Sequence, residues 1–277
     1  SPPLSSPPSP LSSPPHPKLG LYLFFPRHLQ ARLILTRTLR SKELVSLGTL
    51  EAPTGHVTIV FMHVVGAAAL LTWNSDLAHL ALALFRDHVN TLLLQFHGYL
   101  VEAVDGLVLA AFPDPAFALF WAAKCGADMS QLPWPDELLV HEACEELATV
   151  VKDEATGQLE EVILFRGLRL KAGVDCGKMR GEINKITGRM TYRGKVINRS
   201  ARIVSAAGTG QILASANVWN LGMRMHQRLT EKYLNAVSLG LHQLKGVSEQ
   251  MEIFHVWPKQ GEEMNPLLMQ GSLFWGG

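Results

Sequence analysis

Asn198 and Arg202 stand four residues apart in KVINRSARI, a spacing that puts both side chains on one face of a helix. An arginine in such a pair offers a planar fork of donors and a permanent charge, which suits phosphoryl oxygens. On spacing alone the pair reads equally as the polar face of a surface helix. Asp105-Gly106 sits between the apolar runs YLVEAV and LVLAAF, a strong signal for a tight hairpin. Asp105 has two readings, a turn residue tolerant of left-handed backbone and a carboxylate within reach of a metal ion. Glu102 lies on the alternating strand before that turn, and Thr191 on a short strand before the Asn198 helix. His63 ends a β-branched run as a lone imidazole. It can be structural or can ligate Mn²⁺ or Zn²⁺, and it suits Mg²⁺ poorly. Lys245-Gly246 is readable as a simple turn after a strand.

These residues need a scaffold, and 277 residues that are 47% hydrophobic and 18% charged supply one sizeable core with extensions. Lys and Arg number 25 against 24 Asp and Glu, which argues against a nucleic-acid partner or an anionic membrane surface. The three widely spaced cysteines, Cys125, Cys144 and Cys176, fit neither a disulfide framework nor a CxxC metal site, and point to a reducing, cytoplasmic setting. No apolar run approaches the ~20 residues of a membrane span. Membrane attachment is therefore expected only through regions of a longer parent chain, of which this sequence, opening at Ser1, reads as a piece.

Residues 1–18 are a Ser/Pro-rich tract, fourteen Ser or Pro among the first seventeen positions, expected to be a disordered linker. Residues 19–51 form a basic connecting segment, and 52–258 the domain, in which 131–166 reads as an insertion with an acidic, helix-like stretch. Residues 259–277 are a C-terminal tail. Within the domain, VTIVFMHV reads as a buried strand. A helix with the stripe Ala78, Ala81, Phe85, Val89, Leu92 and Phe96, capped by Asn74 or Ser75, follows it. After the Asp-Gly hairpin, Asp114-Pro115 opens a second helix. LRLKAGV and GRMTYRG read as strands, Lys195 to Ala207 as a helix, then QILAS, a helix to about Thr230, and strands at LHQLKG and MEIFHVW. The order β-α-β-β-α-β with additions predicts an α+β, ferredoxin-like fold with its helices on one face of an antiparallel-rich sheet.

Taken in order, PTGHVTIVFMHVVGA, HGYLVEAVDGLVLAAF, LKAGVDCGKMRGEI, TGRMTYRGKVINRSARI and LHQLKGVSEQMEIFHV resemble the catalytic domain of the class III adenylate/guanylate cyclases, from about Thr54 to Pro258. The resemblance implies attack of a ribose 3′ hydroxyl on the α-phosphate of GTP or ATP. It also implies two Mg²⁺ or Mn²⁺ ions held by two aspartates, because paired hard cations clamp the attacking and leaving oxygens. One family aspartate falls at His63. The other falls at Gly106, because the family's Gly-Asp pair is reversed here to Asp105-Gly106. The catalytic pair is matched by Asn198, which would orient the ribose, and Arg202, which would stabilise the transition state; Lys245 falls on a triphosphate-contacting lysine. Glu102 and Thr191 fall on the base-reading positions, where a glutamate favours guanine over adenine; Glu102 is also readable as an outward-facing strand residue. The resemblance thus implies a phosphorus-oxygen lyase that works with a second cyclase domain supplying the metal carboxylates. Its alternative is a pseudocyclase that binds nucleotide or a partner as a regulatory module.

Overall fold

The computed structural model describes residues 52–152, 158–184 and 186–265. The expected linker, the basic segment before residue 52 and the tail beyond residue 265 lie outside the described residues. Strand β1 (Gly55–Val64) alternates between two buried faces: Val60, Met62 and Val64 join one apolar cluster, and Val57 and Ile59 another. A short helix α1 (Ala67–Trp73), unforeseen in the sequence, leads into α2 (Ser75–Gln95), whose Asn74 cap accepts a hydrogen bond from the Leu77 amide. The expected stripe from Ala78 to Phe96 is buried along its whole length.

Strands β2 (Tyr99–Val104) and β3 (Leu107–Phe112) pair antiparallel around Asp105-Gly106. Both turn residues have positive φ, 43° and 81°, as a two-residue type I′ hairpin requires. Helix α3 (Pro115–Asp128) starts on Asp114, whose carboxylate accepts from the Ala116 amide, and is buried through most of its length. The stretch expected to be an insertion, 131–166, holds a short helix α4 (Asp136–Leu139) and then a separate antiparallel hairpin, β4 (Leu147–Lys152) with β5 (Leu159–Phe165). The helix-like reading of its acidic stretch holds for Asp136–Leu139, and beyond it the chain turns to strands, the apolar residues of LATVV pairing with those of VILF.

Long β6 (Leu170–Ile183) pairs with β1 along one end and with β7 (Met190–Arg193) at the other. Then come α5 (Lys195–Ala206), β8 (Ile212–Ser215), α6 (Ala216–Tyr233), β9 (Leu234–His242) and β10 (Met251–Pro258). Strand β9 thus begins seven residues before the expected LHQLKG, leaving Leu244 and Lys245 in the connection. The sheet order is β2-β3-β1-β6-β8-β10-β9, with β7 attached to β6. Its first four strands, linked through α2 and α3, give the expected ferredoxin-like plan.

One expectation changes: the helices do not share a face. Residues of α2, α3 and α6 cover the side of Met62 and Val174, whereas Val196 and Ile197 of α5 pack with Val57 and Ile59 on the other. Gly173 permits that crossing, because a Cβ there would lie 2.3 Å from the Val204 amide nitrogen. Helix α6 bends at His226 (φ −140°, ψ 52°), whose Nε2 donates to Asp114 Oδ2 at 2.6 Å.

Candidate active site

Helix α5 presents Asn198 and Arg202 to solvent, while Val196, Ser200, Ile203 and Val204 anchor it to the sheet. Ser200 fixes its height, donating to the Ile59 carbonyl at 3.3 Å and to the Val196 carbonyl at 3.0 Å. Neither Asn198 nor Arg202 has a side-chain hydrogen bond or ion pair among the described residues. Beside Asn198 opens a cavity of 370 Å³, bordered by Lys195, Arg199, Asn217 and the Gly246–Glu249 segment of the β9–β10 connection. Lys245, exposed, immediately precedes that segment.

The cavity has a feature that the sequence reading missed. Asp175, 1% exposed, points from β6 toward α5 and meets Arg199 Nε at 2.5 Å and Ser215 Oγ at 2.8 Å. Burial pushes the Asp175 carboxyl above the usual carboxylate range, against the opposing pull of Arg199 and Ser215. A signal was present, since a carboxylate inside the apolar run of β6 must find a partner. Arg199, 24 positions later, is that partner.

Glu102 is exposed on β2. A register shift between Leu100 and Glu102 sets Glu102 opposite Leu109, on the sheet face shared by Ile59 and Tyr192. Tyr99 accepts from the Met190 amide at 3.0 Å and so draws β2 toward β7, the strand of Thr191. Thr191 Oγ1 donates to the Glu182 carbonyl at 3.0 Å. Glu102 and Thr191 thus lie on strands that meet through Tyr99 without pairing, and neither borders the Asn198 cavity.

His63 lies on the same face as Phe61, opposite Leu107 of β3 and Lys171 of β6. Burial, then the charge of Lys171, holds its imidazole below the ordinary histidine range. Asp105 borders a small cavity with His79 and Arg86 on the α2 side, and His63 does not line that cavity. Gly106 cannot carry a carboxylate without strain: its φ is 81°, and a Cβ would sit 3.0 Å from Ala67 Cβ and 3.1 Å from Val64 Cβ. Among the described residues no three His, Cys, Asp or Glu side chains converge as a metal group. His63 and Gly106, at the two positions the resemblance assigns to metal ligands, therefore do not fit a pair of hard cations. Among the described residues no helix is long and apolar enough to cross a membrane.

The adenylate and guanylate cyclase catalytic-domain model matches residues 50–257. An adenylate cyclase of Mycosarcoma maydis is 32% identical over 166 residues, 60% of this chain and 6% of its own length. One of Lachancea kluyveri is 28% identical over 183 residues, covering 65% and 9%. The receptor-type adenylate cyclase GRESAG 4.3 of Trypanosoma brucei brucei is 25% identical over 236 residues, covering 81% and 19%. The chain therefore spans less than a tenth of the length of the two fungal relatives. Among solved structures, an adenylate cyclase from Trypanosoma brucei in its monomeric state superposes with a TM-score of 0.61 at 21% identity, covering 77% of this chain and 92% of that one. The guanylate cyclase domain of RhGC from Catenaria anguillulae, in complex with GTP, gives 0.54 at 15% identity, covering 74% and 98%. Those identities speak for the fold alone, but the family model matches most of the chain, and the chain belongs to the adenylate and guanylate cyclase catalytic-domain family.

Proposed function

We propose that this chain is one half of a composite nucleotidyl cyclase site, contributing nucleotide contacts while a second cyclase domain contributes the metal carboxylates with Mg²⁺ or Mn²⁺. The carrying observation is the contrast between its two sets of positions. Asn198 and Arg202 are exposed and uncommitted on a firmly packed helix, while the metal positions hold His63 beside Lys171 and a glycine whose positive φ and close neighbours strain any side chain. In this reading Asn198 orients the ribose and Lys245 meets the triphosphate. Arg202 donates to the phosphoryl oxygens as negative charge develops. Residues 52–258 act as one domain and 131–166 as an insertion in it.

Glu102 and Thr191 support GTP as substrate and cyclic GMP as product, because a carboxylate accepts from guanine N1–H and N2–H₂ and is repelled by the adenine N1 lone pair. The fungal and trypanosomal relatives are named adenylate cyclases, which supports ATP as the alternative. A second reading, a regulatory pseudocyclase, draws on the positive charge of Lys171 where a cation would have to sit. The three widely spaced cysteines, which fit no disulfide framework, support work in the cytoplasm or at the cytoplasmic side of a membrane.

Mixing decides between the readings. Alone with Mg²⁺ or Mn²⁺ and GTP or ATP, the chain is expected to form almost no cyclic nucleotide. Added to a cyclase domain that carries both aspartates but lacks the Asn and Arg pair, it should restore turnover. Cyclic nucleotide is measured in both arms. Nucleotide binding without turnover in the mixture favours the regulatory module, and turnover near ~1 s⁻¹ by the chain alone refutes the half-site.

A further inference from the structure

A second cavity, 460 Å³, lies away from α5 and shares no lining residue with the Asn198 cavity. Its walls are the end of α3, the start of β6 and the end of β10, and Ile163 to Phe165 of the insertion hairpin border it. Met62, Phe165, Ile212 and Trp257 make much of it apolar. Arg166, Arg169 and Lys171 also line it, and among the described residues no Asp or Glu does.

The three cations differ in how they are satisfied. Arg166 is answered within the chain, 3.4 Å from Glu146 and donating to the Leu132 carbonyl at 3.1 Å. Arg169 and Lys171 have no carboxylate partner among the described residues. Lys171 donates to the Ala207 carbonyl at 3.3 Å, and Arg169 donates through one terminal nitrogen to the Glu145 carbonyl at 3.3 Å and lies 5.2 Å from the centroid of the Phe165 ring. Arg169 Nε is buried with no acceptor. A buried donor left unmade is costly, and a carboxylate entering beside it forms a charge-assisted bond. A volume of several hundred Å³ with apolar walls and a few convergent polar groups is what a small organic ligand requires.

We propose that this cavity binds a small amphipathic anion, an aromatic or acyl body bearing one carboxylate, held by Arg169 and Lys171 against the apolar wall. The insertion hairpin gives it part of its roof, so the ligand joins the insertion to the sheet. Lys171 pairs across the sheet with His63, so occupancy of this cavity alters the charge beside the degenerate metal position.

The test uses the full chain and isothermal titration calorimetry with 2-naphthoate, its neutral amide 2-naphthamide, and inorganic phosphate. Expected is a dissociation constant for naphthoate at least about tenfold below that of the amide, the scale of a charge-assisted hydrogen bond. Phosphate, which lacks the apolar body, should bind more weakly than naphthoate. Arg169→Gln with Lys171→Gln should erase the preference for the acid while leaving the amide unchanged, with the melting temperature checking that the variant folds. The naphthoate and naphthamide contrast on the unmodified chain decides the matter even if that variant does not fold. Equal affinity for acid and amide, no heat from naphthoate at low-millimolar concentration, phosphate binding as tightly as naphthoate, or an unchanged preference in the folded variant would overturn the proposal.

Discussion

Arg202 stands exposed on α5 without an ion pair among the described residues, so no internal contact must break before it meets a phosphoryl group. In a productive mixture Arg202→Ala is expected to lower turnover by about 10²–10³, the scale for loss of one preorganised donor, with little change in nucleotide affinity. Steady-state turnover beside equilibrium binding separates the two effects. Its neighbour Arg199 is engaged with Asp175 and is not interchangeable with it. Glu102 belongs to the same scale. Glu102→Lys with Thr191→Asp should move preference from GTP toward ATP, because the hydrogen-bond polarity of the pocket is inverted. Competition binding with both nucleotides checks this, and an unmoved preference would remove these residues from the base pocket.

Helix α5 reaches its place only because β6 is bare beneath it. Gly173 leaves no atom where the backbone at Val204 passes, so Gly173→Val must push the helix away or bend the strand. A loss of more than about 3 kcal/mol in urea unfolding is expected, together with loss of nucleotide binding. The elements themselves were readable in the sequence: the Asp-Gly hairpin, the α2 stripe and the helix carrying Asn198 all follow from local periodicity and turn chemistry. Which side of the sheet α5 occupies was not, because amphipathicity says that a helix has a buried face and not which sheet face meets it. The register shift at Val101 escaped for a similar reason, since it shows only once Leu109 is seen opposite Glu102. The Asp175 and Arg199 pair required knowing that a strand and a helix 24 residues apart lie in contact.

For the molecule as a whole, two half-buried histidines set how folding responds to acid. His63 and His255 are both held below 6.5 by burial, His63 also by Lys171. Between their folded values and 6.5 the unfolded chain binds protons that the folded chain does not, so stability rises with pH across that window. Their contribution is complete above 6.5 and is lost as pH falls through the folded values. Urea midpoints at pH 7.5 and 6.0 should therefore differ, and His63→Gln with His255→Gln should narrow the gap. The candidate site was legible only at the same scale. Asn198, Arg202 and the two positions expected for metal ligands were proposed from position within a family pattern, whereas the 460 Å³ cavity draws on segments more than a hundred residues apart and left no local mark.

Asp114 does two things at once: one oxygen caps α3 and the other receives the imidazole at the bend of α6. At an ordinary helix start aspartate, serine and asparagine are near equivalents. Here that interchangeability is gone. Serine has a single oxygen and would strand His226, and asparagine would serve only if the ring moved its proton to Nδ1 and turned Nε2 into an acceptor. A substitution that looks conservative from the viewpoint of one helix is thus a change of tautomer in another, 112 positions away.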